Sequence, residues 1–218
     1  MILAAVGMQR EARLVERHGA GIGVRAVAGG GREALLKTRL EAALDGAEAI
    51  LSIGLGGALD PSLEVGDVVV ASEVLRPRKR WETDAVWRDF LLARLPGARC
   101  GPVYGSGEMV LGALDKDKLR RRGGAVLVDM ESHVAAGVAA ACGLPFAVVR
   151  VVSDKATASL PEAVRAGLAE DGRMDLLGVL GALARDPGQL PALLRVGRDA
   201  DLAFKALDAA AARALARP

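Results

Sequence analysis

The stretch Val126–Asp154, VLVDMESHVAAGVAAACGLPFAVVRVVSD, decides the fold. Val126 to Val128 is a short apolar run of the kind buried in a parallel sheet, and Val134 to Cys142 is rich in small residues and long enough for a packed helix. Gly143 and Pro145 stop that helix and launch a second apolar run, Phe146 to Val152. Strand, helix and strand predict one βαβ unit, in which ligands gather at the carboxyl ends of the strands. Asp129, Glu131 and Asp154 fall there. Three carboxylates at the rim of an apolar sheet are costly unless a ligand or partner uses them. One acid alone would be read more simply, with Asp129 or Ser132 capping the helix beside a solvated turn.

Composition bounds the rest. A chain of 218 residues that is 51% hydrophobic can bury a substantial core as one domain. Aromatics are only 3%, so Ala, Val and Leu must build that core, and 27 glycines allow many close backbone approaches. A net charge of +2, with the basic residues dispersed apart from Arg76–Arg80 (RPRKR) and Arg120–Arg122, argues against nucleic acid; such short runs read as solvated loops. Cys100 and Cys142 lack a CxxC spacing or a neighbouring His and are expected to be small buried hydrophobes. Neither His18 nor His133 has ligands at metal-binding spacing, so no metal is expected, and His133 reads as a packed or capping residue. The opening MILAAVGMQRE has no positive n-region and too short an apolar stretch for a signal peptide or span, which predicts a cytoplasmic protein.

Upstream of the central stretch, Ile2 to Val6 reads as a strand ending at Gly7, and Met8 to Arg17 as a helix with its charges outward. Glu11 therefore sits just past a strand's carboxyl end, where it could equally be an ordinary first-turn acid facing the helix dipole. Val24 to Ala28 is a second strand, followed by Gly29–Gly31 and a helix through about Leu44. Without a Walker lysine that turn is read as a tight connection before an anion cradle. Glu48 to Ile53 is the next strand, opening into Gly54, Leu55, Gly56 and Gly57. The spacing half resembles a dinucleotide fingerprint, but Asp60, Pro61 and a strand over Gly66–Ala71 follow in place of a helix, so these glycines are read as letting backbone approach a ligand.

Thr83 to Leu95 reads as an amphipathic scaffold helix with Val86, Phe90 and Leu91 on one side. A strand over Cys100–Tyr104 leads into the glycine-rich loop Gly105–Glu108, and Asp115–Arg122 forms a short polar helix. Beyond Asp154 four helical segments, Glu162–Ala169, Asp175–Ala184, Leu190–Arg198 and Asp199–Ala216, are expected to cover the sheet, with the Ala-rich tail fraying.

A strand ending in GMQRE, a strand ending in IGLGGALDPSLEVGDVVV, a loop SGE, then VDMES and VVRVVSDKA, in this order over Met1–Ala156, resemble the nucleoside phosphorylase and nucleosidase superfamily. The methylthioadenosine/S-adenosylhomocysteine nucleosidases are the branch these pieces resemble most. The resemblance implies a single-domain, three-layer α/β/α fold over residues 1–218 with a mixed, partly barrel-like central sheet. It also implies an N-glycoside hydrolase that releases adenine from a 5′-substituted adenosine without a cofactor. Glu11 would activate the attacking water, and Glu131, after Met130, would hold the ribose 2′ and 3′ hydroxyls. Asp154, after Ser153, would protonate N7 of the leaving purine. Leu55 and Gly57 would border the ribose, and the loop from Ser106 to Leu111, with Gly107 and Val110, would contact the base. The chemistry asks for such a set, because an oxocarbenium-like transition state needs an acid for the leaving group and a carboxylate-activated water opposite. Asp154, beside an apolar strand, is expected to hold a proton through desolvation, and Glu11 to stay ionised.

There are departures from the family pattern. Leu55 stands where the nucleosidases usually have a serine, and the arginine and serine that phosphorylases use for phosphate would fall at Ser52 and Leu55, which favours water over phosphate. The chain is also short between Arg17 and Val24, where larger relatives carry a hairpin. The segment RMDLLGVLGALARDPGQLPALLRVGRDADLAFKALDAA is similar to the hopanoid-associated phosphorylase branch, which implies adenosylhopane as substrate and peripheral membrane contact. A phosphorylase of the same fold, an ordinary methylthioadenosine/S-adenosylhomocysteine nucleosidase and a nucleoside-binding regulatory module stay open as alternatives, though a pure binder has no need of a water-activating base. Relatives of this fold pair subunits near the active site, which implies at least a dimer.

Overall fold

The computed structural model describes residues 1–161, 163, 164, 181 and 185–216. Eight strands form one mixed sheet: β1 (Ile2–Val6), β2 (Val24–Ala28), β3 (Ala49–Ala58), β4 (Val68–Arg76), β5 (Lys79–Glu82), β6 (Arg99–Gly105), β7 (Leu127–Asp129) and β8 (Phe146–Asp154). The helices are α1 (Gln9–Gly19), α2 (Glu33–Ala42), α3 (Ala85–Arg94), α4 (Ala113–Gly123), α5 (Ser132–Cys142) and, after a 3₁₀ turn at Pro187–Gln189, α6 (Leu190–Ala214). Strands β3, β7, β6, β4 and β8 pair in that order, and β8 pairs again with β3, closing a five-stranded barrel. Strands β1 and β2 extend from the N-terminal half of β3 as a parallel flank.

Period-2 alternation along β8 builds the layers. Val148 and Val152 pack with Leu36 and Leu40 of α2 and Val134 and Val138 of α5. Ala147, Val149 and Val151 face the other way, onto Val15 of α1, Leu91 of α3 and Phe204 and Leu207 of α6. The result is the expected three-layer α/β/α arrangement, with the barrel edge between helix layers. Each large side chain buried this way contributes about 2 kcal/mol.

Several local expectations are corrected. The central strand–helix–strand is not a βαβ unit of parallel neighbours, because β3 lies between β7 and β8 and runs antiparallel to β7 but parallel to β8. The strand predicted over Glu48–Ile53 does not end at Ile53; β3 continues through the glycines to Ala58, with a register shift between Gly56 and Gly57. The RPRKR run makes the β4–β5 hairpin, with Arg78 at φ 61° in the turn. Cys100 and Cys142 are exposed, since one lies near the start of β6 and the other at the end of α5. On α3 only Leu91 is buried; Val86 is 81% and Phe90 41% exposed. The two last predicted segments are one helix, α6, and its tail does not fray, since Ala210, Ala211, Ala214 and Leu215 are in the core. The helices predicted over Glu162–Ala169 and Asp175–Ala184 fall outside the described residues, apart from Ala163, Val164 and Gly181. No described helix is long and apolar enough to cross a membrane.

Candidate active site

Glu11 is placed by the join between β1 and α1. It is the third residue of the helix, and its carboxylate turns back so that Oε2 accepts from the backbone N–H of Gly7 at 2.8 Å and of Met8 at 2.7 Å. This is the local capping role open to a first-turn acid. The other oxygen, Oε1, crosses to β3 and accepts from Leu55 N–H at 2.8 Å, which a cap alone does not need. Burial pushes the Glu11 pKa up, opposed by the Arg150 charge and by the three N–H donors.

Arg150 is the centre of the buried charges and was not singled out by its sequence. It lies fully buried between Val148 and Val152 on the same face of β8. Its Nε pairs with Asp129, its Nη2 donates to Ser52 Oγ at 2.6 Å and to Ser132 Oγ at 3.3 Å, and Nη2 stands 3.6 Å from Glu131 Oε2. Ser132 Oγ also bonds Asp129, whose oxygens accept from Ser132 N–H at 3.3 Å. Asp129 is therefore engaged as Arg150's counter-ion and a cap for α5, and is not a free rim acid. Among the described residues no acceptor takes a hydrogen bond from Arg150 Nη1.

Glu131 enters the same cluster from the N-terminus of α5. A Cβ on Gly7 would stand 2.8 Å from Glu131 Oε1 and 3.2 Å from Glu11 Oε2, and one on Gly54 would stand 2.6 Å from both Arg150 Nη1 and Glu11 Oε1. Only glycine lets both strands approach the acids this closely. Burial, resisted by Arg150 and reinforced by Asp129 and Glu11, pushes the Glu131 pKa up to about 8. Because this folded-state pKa lies above the ordinary 4.5, the folded protein keeps a proton that the unfolded chain gives up between the two values. Stability is expected to fall as pH rises through that window, by up to about 1.4 kcal/mol per pH unit. Glu131→Gln should flatten this slope and exceed the wild type in unfolding free energy at pH 8, as measured by urea unfolding at pH 5, 6.5 and 8. An unchanged slope would show that Glu131 does not carry the proton.

Asp154 ends β8 opposite Gly57, whose Cβ would stand 3.1 Å from Asp154 Oδ2. Its Oδ1 lies 2.7 Å from Ser153 Oγ, which is also 3.1 Å from the Gly56 carbonyl, so Ser153 ties the acid to β3. Desolvation by an apolar strand does not describe this site, because the ammonium of buried Lys116 pairs with Asp154. Gly54, at the Glu11 end, and Gly57, at the Asp154 end, are three residues apart on β3, which puts those two strand positions roughly 10 Å apart.

The remaining predicted residues border this line. The Leu55 side chain is half-buried against the second core cluster while its backbone serves Glu11. Met130 is half-buried at the β7–α5 junction. Ser106 N–H donates to the Asp129 carbonyl at 2.7 Å, which docks the rim loop on β7. Ser106 and Val110 line an open cleft of about 570 Å³ with Leu111, Gly112, Ser159 and Leu160. Gly107 lies outside that lining, near Arg76 and Glu33. His133 is packed, as expected; its Nε2 lies 3.2 Å from Glu33 Oε2, and burial lowers its pKa. Arg150 and Lys116 are the functional candidates sequence reasoning missed. A single charge inside the VVRVV run is the signal that could have found the first, whereas Lys116 is lost among the charges of LDKDKLRRR.

The closed barrel thus brings Glu11 from α1, Glu131 from the start of α5 and Asp154 from the end of β8 against the glycines of β3 and its neighbours. The model of the phosphorylase superfamily matches residues 7–174, and the chain belongs to that superfamily. Its structure is similar to that of a 5′-methylthioadenosine/S-adenosylhomocysteine nucleosidase from Neisseria meningitidis in complex with methylthio-immucillin-A, with a TM-score of 0.71 and 14% identity over 98% of this chain and 96% of that one. It is similar too to an S-adenosylhomocysteine nucleosidase from Streptococcus pyogenes in complex with 5-methylthiotubericidin (TM-score 0.66, 18% identity, 95% and 96% covered). Futalosine hydrolase of Helicobacter pylori strain 26695 matches with a TM-score of 0.62 and 17% identity over 70% of this chain and 87% of that one. At these identities the likeness is one of fold. No curated protein matches the chain in sequence.

Proposed function

We propose that the chain is a purine nucleosidase, acting as a single domain without a cofactor, that cleaves the N-glycosidic bond of a 5′-substituted adenosine. In this reading Glu131 accepts from the ribose 2′ and 3′ hydroxyls beside Met130. A water bound between Arg150 Nη1 and Glu11 Oε1 attacks C1′ as Glu11 takes its proton. Asp154, oriented by Ser153, protonates N7, and the loop from Ser106 through Gly107 to Val110 faces the base. Leu55 and Gly57 border the sugar between the two acids.

The observation that favours hydrolysis is the charge count around Arg150: one guanidinium serves Asp129, Glu131 and Glu11, all buried. An anionic nucleophile such as phosphate would need a cation, and this guanidinium is already engaged by the acids around it, whereas neutral water needs none. Ser52, where a phosphate-binding arginine would stand, is instead an acceptor for Arg150. Adenine release from a panel of adenosine derivatives is expected to be unchanged by phosphate and to yield a free reducing sugar. Ribose 1-phosphate in the product would replace this reading with the phosphorylase one.

For the 5′ group we favour a bulky hydrocarbon such as that of adenosylhopane. Leu190 and Leu194 on the first turns of α6 are exposed beside Arg195 and Arg198, which suits peripheral contact with an anionic membrane surface. Exposed Val86 and Leu114 supply apolar surface for self-association as a homo-oligomer. Each added 5′ methylene should raise kcat/KM about fourfold, the equivalent of ~0.8 kcal/mol, until the pocket is filled. Selective cleavage of methylthioadenosine with no gain from longer alkyl chains would assign the protein to the ordinary methylthioadenosine/S-adenosylhomocysteine nucleosidases.

A further inference from the structure

Lys116 is the one buried residue of α4, a helix whose other charges face solvent, and no part of its side chain is accessible. All three hydrogens of its ammonium have acceptors: Asp154 Oδ2, the Lys155 carbonyl at 2.9 Å and the Ala158 carbonyl at 3.0 Å. The segment it holds is laced to the rim of the cleft, since Leu160 N–H donates to the Leu111 carbonyl at 2.9 Å and Ala113 N–H to Ser159 Oγ at 3.2 Å. An ion pair buried this deeply is no better for stability than an apolar pair of the same volume, so packing does not explain it. The pair carries one transferable proton, held on a lysine that bulk water does not reach and that meets solvent only through Asp154, whose side chain is 11% exposed.

We propose that Lys116 is the proton reservoir of the reaction, a positioning residue that supplies through Asp154 the proton taken by the leaving base. The inference rests on the nucleosidase reading of Asp154. An Nζ–H proton passes to Asp154 Oδ2 and Asp154 relays that same proton to N7, which leaves a neutral Lys116 amine beside the Asp154 carboxylate. The C1′–N9 bond breaks with its electron pair going to N9, so adenine leaves neutral. The water oxygen bonds C1′ and gives its proton to Glu11. When the products leave, Lys116 regains a proton from solvent and Glu11 loses one.

The test compares two substrates sharing a 5′-substituted ribose, one carrying adenine and one carrying 4-nitrophenolate, which departs without protonation. Lys116→Met is expected to lower kcat for adenine release by about 10² with KM within about threefold, and to leave 4-nitrophenolate release within about threefold of wild type. Its remaining adenine release should fall about tenfold per pH unit across a range where the wild type is level, because the proton then comes from solvent. Lys116→Arg keeps the cation but cannot give up a proton, so it should restore thermal stability and not kcat. Equal losses on both substrates, an unchanged pH profile, or recovery of kcat in Lys116→Arg would each overturn the inference while the nucleosidase reading stands. A wild type that releases no base from any nucleoside would overturn both.

Discussion

Glu11→Gln is expected to cut turnover by about 10² to 10⁴ while the affinity for a non-cleavable nucleoside analogue changes little. The substitution keeps length and shape, so the loss would report the missing base and not a cavity. It is not structurally silent, because Glu11 accepts from three backbone N–H groups, at Gly7, Met8 and Leu55. An amide nitrogen cannot accept from any of them, which leaves at least one buried donor unpaired at a cost of about 1–3 kcal/mol. Lower turnover with modestly lower stability and retained binding is therefore the expected combination, read from kcat, urea unfolding and calorimetry. Near-normal turnover would remove Glu11 from the mechanism. Loss of binding in step with turnover would make it a substrate-holding or folding residue.

Arg150→Met carries the largest expected effect on stability, about 3–5 kcal/mol at pH 8, because it removes the cation that Asp129, Glu131 and Glu11 share and leaves buried carboxylates uncompensated. The sign of its pH dependence follows from the same geometry. Glu11 and Glu131 have raised pKa values, and losing Arg150 pushes them further up, so the variant keeps their protons to higher pH. Its deficit should accordingly shrink as the pH is lowered from 8 to 5, where more of the cluster is protonated and neutral in both proteins. Urea unfolding of the two proteins at matched pH measures this. A deficit below about 1 kcal/mol at pH 8 would mean that the guanidinium is not the shared counter-ion.

The same cluster relates sequence to structure. Glu11, Glu131 and Asp154 were legible because each follows an apolar run that reads as a strand, and period-2 burial with glycine punctuation is a local signal. Glu11 and Glu131 lie close together in the fold, since the spot a Gly7 Cβ would fill lies within 3.2 Å of both. Asp129 carried the same local signal and turned out to serve Arg150. Val86 and Phe90 show the opposite failure, because a helical apolar stripe says which side is apolar but not whether a neighbouring element covers it.

By itself the sequence determined the order of strands and helices up to β8 apart from β5, which begins in a run read as a solvated loop, together with the β1–α1 and β7–α5 junctions where acids collect and the absence of a helix after the glycine-rich stretch from Gly54 to Gly57. Each of these depends on residues within a few positions of one another. Only the tertiary structure decided that β3 runs through those glycines and lies between β7 and β8, with opposite senses of pairing. Strand direction depends on where the chain re-enters the sheet, and no local period encodes that. The tertiary structure alone also set Arg150 against Ser52, 98 positions away, and Lys116 against Asp154, 38 positions away. A charge within an apolar strand or a polar helix acquires its meaning from its partner, and closure of the barrel supplies that partner.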